Sequence, residues 1–218
     1  MVKRKGRLWV AVMLVIIVIL PLISVLFLRK GFNTRAEAPS SSRLITNDLQ
    51  QIPDYFTISY RGDTITKKGM LNKVCIIDFV SYSCGTVNDP KSRKLFEIQE
   101  DYYHKTKGFR ILSHTLNPIA DQTPQLVLMA ERYSAREIWH FVNSPDSSSV
   151  RLYEWNKNYL QKLSLNETDP ACPKLVYLVD GAGNLRGAYD PLIDQQFRDL
   201  YNDVLFLINK LDVHEQEK

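Results

Sequence analysis

Three cysteines, Cys75, Cys84 and Cys172, are the residues with the most reactive side chains in this chain of 218. Cys75 sits inside the apolar run Val74-Cys-Ile-Ile-Asp-Phe-Val80, where a thiol is expected to be buried and inert. Cys84 lies in Ser81-Tyr-Ser-Cys-Gly-Thr-Val-Asn-Asp-Pro90, a loop leading out of that run and into a helix. In an open α/β sheet the carboxyl end of a strand is where reactive groups gather, and a helix N-terminus favours a thiolate. Cys172 stands just before Pro173 and a second apolar run. Spacing alone does not bring Cys84 and Cys172 together, and two unrelated loop cysteines are the plainest alternative.

Other thiol chemistries fit less well. Cys84 is followed by Gly85, Thr86 and Val87, so no Cys-x-x-Cys pair exists. A peroxiredoxin needs Pro and Thr at set distances ahead of its cysteine, and Ile77 and Ser81 stand there. The four histidines read as structural or solvated: His104 on a polar helix face, His214 in a charged tail, His140 in a short strand and His114 near a strand end. No P-loop, dinucleotide fingerprint, zinc-protease helix or nucleophile elbow is present. Asn166-Glu-Thr168 matches a glycosylation sequon, relevant only in a eukaryotic secretory pathway.

The elements that must position these residues follow from pattern. Phe56–Tyr60 and Thr64–Thr66 read as a hairpin around Gly62. Val74–Val80 is a central strand covered on both faces. Asp89-Pro90 predicts a helix start, with the helix running to about Lys107 and stopping at Gly108. Phe109–Leu116 is a strand, Thr123-Pro124 opens a helix to about Tyr133, Ile138–Val142 is a strand and Ser147–Leu160 a helix. Lys174–Asp180 and Asn184–Tyr189 form a hairpin, and Ile193–Leu211 is the last helix. Strands alternating with helices predict an α/β fold: a mixed sheet with helices on both faces.

Composition is globular, 44% hydrophobic and 24% charged. Of the 28 basic residues, Lys3, Arg4, Lys5 and Arg7 precede any acidic one, and the remaining 24 balance 24 acidic residues. A nucleic-acid partner is therefore not expected. Leu8–Leu28 is 21 residues without a charge, long enough as a helix to cross a bilayer. It is longer than a signal peptide's apolar stretch, and it reads as an uncleaved single-pass anchor with Pro21 as a kink and Trp9 near an interface. The tight basic cluster ahead of it favours a cytoplasmic N-terminus and an extracytoplasmic domain, on the periplasmic side of a bacterial membrane. The chain divides into a basic segment 1–7, an anchor 8–28, a linker 29–49 centred on Gly31–Ser42, a domain 50–211 and a charged tail 212–218.

Taken together, these stretches resemble a known family. Val74–Cys84 leads into a helix, Ser113-His-Thr-Leu-Asn-Pro118 follows, and Asp121-Gln-Thr-Pro124 opens the next helix. Trp139 and Leu175-Val-Tyr-Leu-Val-Asp-Gly-Ala-Gly-Asn184 complete the likeness, and the Asn-Pro-x-x-Asp-x-Thr-Pro run is its most distinctive part. The domain resembles the SCO/SenC family of thioredoxin-like, membrane-anchored copper and redox proteins, over roughly residues 50–211. The resemblance implies a thioredoxin-like sheet and a role in respiratory oxidase assembly, with an oxidase subunit or another redox protein as partner.

The family's metal motif departs here at two of three positions. Cys84 matches its first cysteine, Asn88 stands at the second, and Cys172 stands where a histidine is usual. Asn117 replaces a usual aspartate. Cys84 and Cys172, with Asn88 as a weak oxygen donor, would be the ligands of Cu(I), which favours soft sulfur. The same thiols would alternatively form a redox disulfide if their Cα atoms lie within about 7 Å. The other readings are a thioredoxin-fold binding module with a decayed metal site, and a thiol–disulfide reductase. By analogy with thioredoxin-like folds, the Cys172–Pro173 bond is expected to be cis.

Overall fold

The computed structural model describes residues 9, 13, 17–25, 43–162 and 172–216; the side chains of residues 86–88, 162 and 212–216 lie outside that description. The chain separates into two units, Met1–Ala38 and Pro39–Lys218. In the first, residues 17–25, including Pro21, are helical. Among the described residues no helix is long and apolar enough to cross a membrane; ten of the 21 residues of the anchor read at 8–28, the Gly31–Ser42 linker and the 166–168 sequon lie outside them.

The described residues of the second unit form seven strands: β1 (Phe56–Ser59), β2 (Thr64–Thr66), β3 (Val74–Val80), β4 (Phe109–Thr115), β5 (Trp139–Asn143), β6 (Val176–Val179) and β7 (Leu185–Tyr189). The sheet order is β2-β1-β5-β4-β3-β6-β7. Strands β3, β4 and β5 run parallel, and the β1–β2 and β6–β7 hairpins flank them antiparallel. Gly62 turns the first hairpin at φ 88° and Gly183 the second at φ 82°, values that a residue with a Cβ rarely adopts.

Among its described residues the unit has five helices, in chain order α1 (Lys67–Met70), α2 (Gly85–Tyr102), α3 (Thr123–Arg132), α4 (Ser148–Lys162) and α5 (Asp194–Gln216). All seven residues of β3 are buried, so the strand's alternation divides the core in two. Val74, Ile76 and Val80 point into one cluster with Leu95 and Ile98 of α2, Leu126 and Met129 of α3, and Leu200 and Val204 of α5. Cys75, Ile77 and Phe79 point into the other, with Leu152 and Tyr153 of α4 and Ile65 of β2. The expected mixed sheet with helices on both faces is what forms.

Two boundaries differ from expectation. Helix α2 begins at Gly85, ahead of Asp89-Pro90, and ends at Tyr102, short of Gly108. A 3-10 turn, Tyr82–Cys84, winds the chain first, with Cys84 N–H donating to the Ser81 carbonyl at 2.9 Å. Pro90 therefore lies inside the helix and costs one i→i−4 hydrogen bond. The end of the segment read as linker is fastened to the domain along the β7 edge: Ile45 N–H donates to the Arg186 carbonyl at 2.6 Å.

The largest fully buried side chain is Trp139, which stacks on Phe141 at 5.3 Å. Its indole Nε1 donates to Ser113 Oγ at 2.9 Å. Replacing Trp139 with Phe removes that bond and part of the buried ring, and is expected to lower unfolding stability by about 1–3 kcal/mol in urea titration. An unchanged midpoint would show that neither the bond nor the extra ring contributes to stability.

Candidate functional site

The carboxyl ends of the parallel strands β3 and β4 carry the site. From Val80 the chain passes through Ser81 and the 3-10 turn to Cys84, which caps the N-terminus of α2 and is 4% exposed. Asp121 holds this turn from the neighbouring connection. Its Oδ2 accepts the Tyr82 N–H at 3.1 Å and the Thr115 hydroxyl at 2.5 Å. Thr115 Oγ1 in turn accepts the Asn117 N–H at 3.1 Å, and Asp121 N–H donates to the Asn117 carbonyl at 2.8 Å. Asn143 Nδ2 donates to the carbonyls of Pro118 and Asp121, each at 3.0 Å. The Asn-Pro-x-x-Asp-x-Thr-Pro run is thus the brace of the Cys84 turn.

Cys172 approaches from the other side of the sheet's centre, in the segment entering β6, which lies antiparallel beside β3. Cys84 and Cys172 form a disulfide with their Cα atoms 5.7 Å apart. The two residues are 88 positions apart in sequence. In the chain-entropy account a loop of that size is worth ~4–5 kcal/mol when closed. The Cys172–Pro173 bond is not cis: no described peptide bond is. The expected chain reversal is unnecessary, because the trans chain already delivers Cys172 to its partner at ordinary disulfide spacing.

Beneath the disulfide lies an ion pair that sequence reasoning missed. Asp78, in the middle of β3, and Lys91, in α2, are both fully buried, with Lys91 Nζ 2.7 Å from Asp78 Oδ1. The ammonium also donates to the Phe79 and Pro173 carbonyls, each at 2.8 Å. Asp78 Oδ2 accepts from Ser113 Oγ at 3.0 Å, the hydroxyl that receives the Trp139 indole. Burial pushes the Asp78 carboxyl above the usual carboxylate range, and the Lys91 ammonium pulls against that shift. A carboxylate at the centre of an apolar run was the available signal, since such a group survives burial only with a partner.

The remaining candidates fall away from this centre. Cys75, near the start of β3, is a free buried thiol whose pKa burial pushes up to about 12, as expected of an inert cysteine. His104 is exposed. His114 packs between the Tyr55 and Phe79 rings, and its Nδ1 meets Ser149 Oγ at 2.9 Å. Asn88 falls within α2, and its side chain lies outside the described residues. Among the described residues no group of three His, Cys, Asp or Glu side chains is placed to hold a metal ion.

No family model matches the sequence, and no curated relative does. The similarity to solved structures is extensive. The BsSco protein, described as a member of the Sco family of cytochrome c oxidase assembly proteins with a disulfide switch, superposes at a TM-score of 0.61 with 18% identity. That match covers 77% of this chain and 98% of that one. The fold is that of the SCO/SenC proteins. A SCO1/SenC family lipoprotein from Bacillus anthracis matches at 0.60 with 16% identity, over 75% of this chain and 99% of that one. Yeast Sco1 with copper bound matches at 0.52 with 15% identity, over 77% and 94%. On that SCO/SenC frame, the pair of sulfurs joins the turn before α2 to the segment before β6.

Burial holds the His114 imidazole near about 3, against an ordinary 6.5, so the folded chain keeps it neutral. Below pH 6.5 the unfolded chain takes up a proton that the folded chain refuses. Stability supplied by this group is therefore full above pH 6.5 and is lost as the pH falls from 6.5 toward 3. Urea unfolding at pH 7 and pH 5 is expected to show a loss of ~2 kcal/mol that His114→Gln largely abolishes. Equal losses in both proteins would contradict the assignment.

Proposed function

We propose that this protein is a membrane-anchored, SCO-like factor whose Cys84–Cys172 pair handles thiol redox state and, once reduced, Cu(I), in the assembly of a respiratory oxidase. The observation that carries the reading is the disulfide: two cysteines 88 positions apart meet at the carboxyl ends of the central strands. The uncharged run at residues 8–28, with basic residues ahead of it, supports an anchor and an extracytoplasmic domain. A disulfide persists in such a compartment. The oxidase client is supported by the description of the BsSco structure.

The redox step is a dithiol–disulfide exchange. A partner thiolate attacks one sulfur of the pair, forming a mixed disulfide, and the partner's second thiolate then displaces the remaining cysteine. The partner is oxidised to a disulfide by two electrons, and Cys84 and Cys172 are left as thiols holding the partner's two protons.

Copper is treated as cargo. In the oxidised chain both sulfurs are spent on each other, so Cu(I) binding requires prior reduction. Two thiolates suit Cu(I), which accepts two soft donors. The lack of a third charged or imidazole donor among the described residues favours transient loading, and it supports thiol–disulfide reduction as the second reading. A binding module with a decayed site is disfavoured by the pairing of its two sulfurs.

Anaerobic reduction followed by Cu(I) titration against a competing chelator tests the reading. Reduced wild-type protein is expected to bind Cu(I), and Cys84→Ser or Cys172→Ser to weaken it by more than ~100-fold, the upper range for losing only a supporting group. Exchange with dithiols but no Cu(I) binding would leave the reductase. A chain whose disulfide neither exchanges nor binds Cu(I) once reduced would overturn both.

A further inference from the structure

Lys91 stands seven residues beyond Cys84, in the first half of α2, and its ammonium is 0% exposed. A fully buried lysine is rare, because removing an ammonium from water costs several kcal/mol. A buried pair is seldom retained for stability, since an apolar residue of the same volume packs as well. What this pair supplies is position. Each acceptor of the ammonium lies on a segment that bears on the disulfide. Asp78 at 2.7 Å and the Phe79 carbonyl at 2.8 Å lie on β3, whose end leads into the Cys84 turn. The Pro173 carbonyl at 2.8 Å belongs to the residue that follows Cys172. Lys91 itself is carried by the helix that Cys84 caps. None of these contacts involves sulfur, so none depends on the oxidation state of the pair.

We propose that Lys91 is a positioning residue for the redox pair: its ammonium clamps the Cys172–Pro173 segment to β3 and α2, so that both thiols stay within reach of each other after reduction. This rests on the redox reading of Cys84 and Cys172. Disulfide formation then requires little chain ordering, and the equilibrium is set toward the oxidised form. With glutathione as the redox couple the reaction is protein dithiol plus glutathione disulfide giving protein disulfide plus two glutathione thiols. Both electrons and both protons pass to glutathione. The constant for this exchange rises with the effective concentration of one thiol at the other.

The test compares this constant in the full chain, by acid quench and alkylation across a series of glutathione ratios. Lys91→Met alone strands a buried carboxylate, so the main variant is Asp78→Asn with Lys91→Met, which removes both charges together. Its constant for oxidation is expected to fall at least about tenfold, equivalent to about 30 mV. Leu95→Ala, a buried core change on the same helix that leaves the clamp untouched, is expected to stay within about twofold. A double variant indistinguishable from wild type, or an equal shift in Leu95→Ala, overturns the clamp. If the double variant does not fold, Asp78→Val with Lys91→Met, which also removes both charges and suits the strand, takes its place, with the same fall of about tenfold expected and no shift as the contrary result.

Failure of the redox reading is recognised separately, as a wild-type disulfide that glutathione cannot open and reform. The clamp is then judged in a Cys84→Ser, Cys172→Ser chain by amide hydrogen exchange at Lys174 and Leu175. Exchange there is expected to quicken about tenfold when Asp78→Asn and Lys91→Met are added. Unchanged exchange rules the clamp out.

Discussion

One ammonium group, on Lys91, holds three parts of this domain in register. It meets a carboxylate at the heart of the central strand, the next carbonyl on that strand and the carbonyl of Pro173, all at 2.7–2.8 Å. Two of its N–H donors are taken by the carbonyls and the carboxylate stands at ion-pair distance, and such pairing is the condition under which a buried charge is tolerated. The carboxylate is tied onward to Ser113, and Ser113 to Trp139, so the network reaches from α2 across β3 and β4 to β5. Register makes this possible: Asp78 lies directly beside Ser113 in the parallel β3–β4 pair and opposite Val176 in the β3–β6 pair.

A second network works on the outer side of the same strand ends. Asp121 joins the Cys84 turn to the β4–α3 connection through the Tyr82 amide and the Thr115 hydroxyl. Near the start of α2, Asp89 meets Arg132 and the Tyr133 hydroxyl, each at 2.6 Å, and ties that helix to the end of α3. The Cys84 side of the disulfide is therefore braced by carboxylates, and the Cys172 side by an ammonium. The disulfide sits between these two supports.

Much of the frame was legible in the residues. The nearly continuous apolar run Val74–Val80 reads as a strand covered on both faces, and it is one. Thr123-Pro124 opened a helix because a proline at the first turn loses no hydrogen bond. The same logic misplaced the start of α2, because Pro90 sits in the helix interior, where tertiary contacts outweigh one missing bond. Cys84 and Cys172 were recognisable singly from their loops. Their union was left open, since contact across 88 residues is a property of the sheet order and not of local pattern. The trans Pro173 and the partner of Asp78 were hidden for the same reason: both are settled by which segments the fold lays side by side.

The chemistry proposed for this site depends on the covalent pairing of Cys84 with Cys172. Protein isolated without reductant, alkylated under denaturing conditions and cleaved with protease, gives the most direct test by mass spectrometry. The predicted result is a peptide pair joined through Cys84 and Cys172, with Cys75 alone carrying the alkyl group. Alkyl groups on Cys84 and Cys172 in the oxidised protein, or a bond from either of them to Cys75, would contradict it.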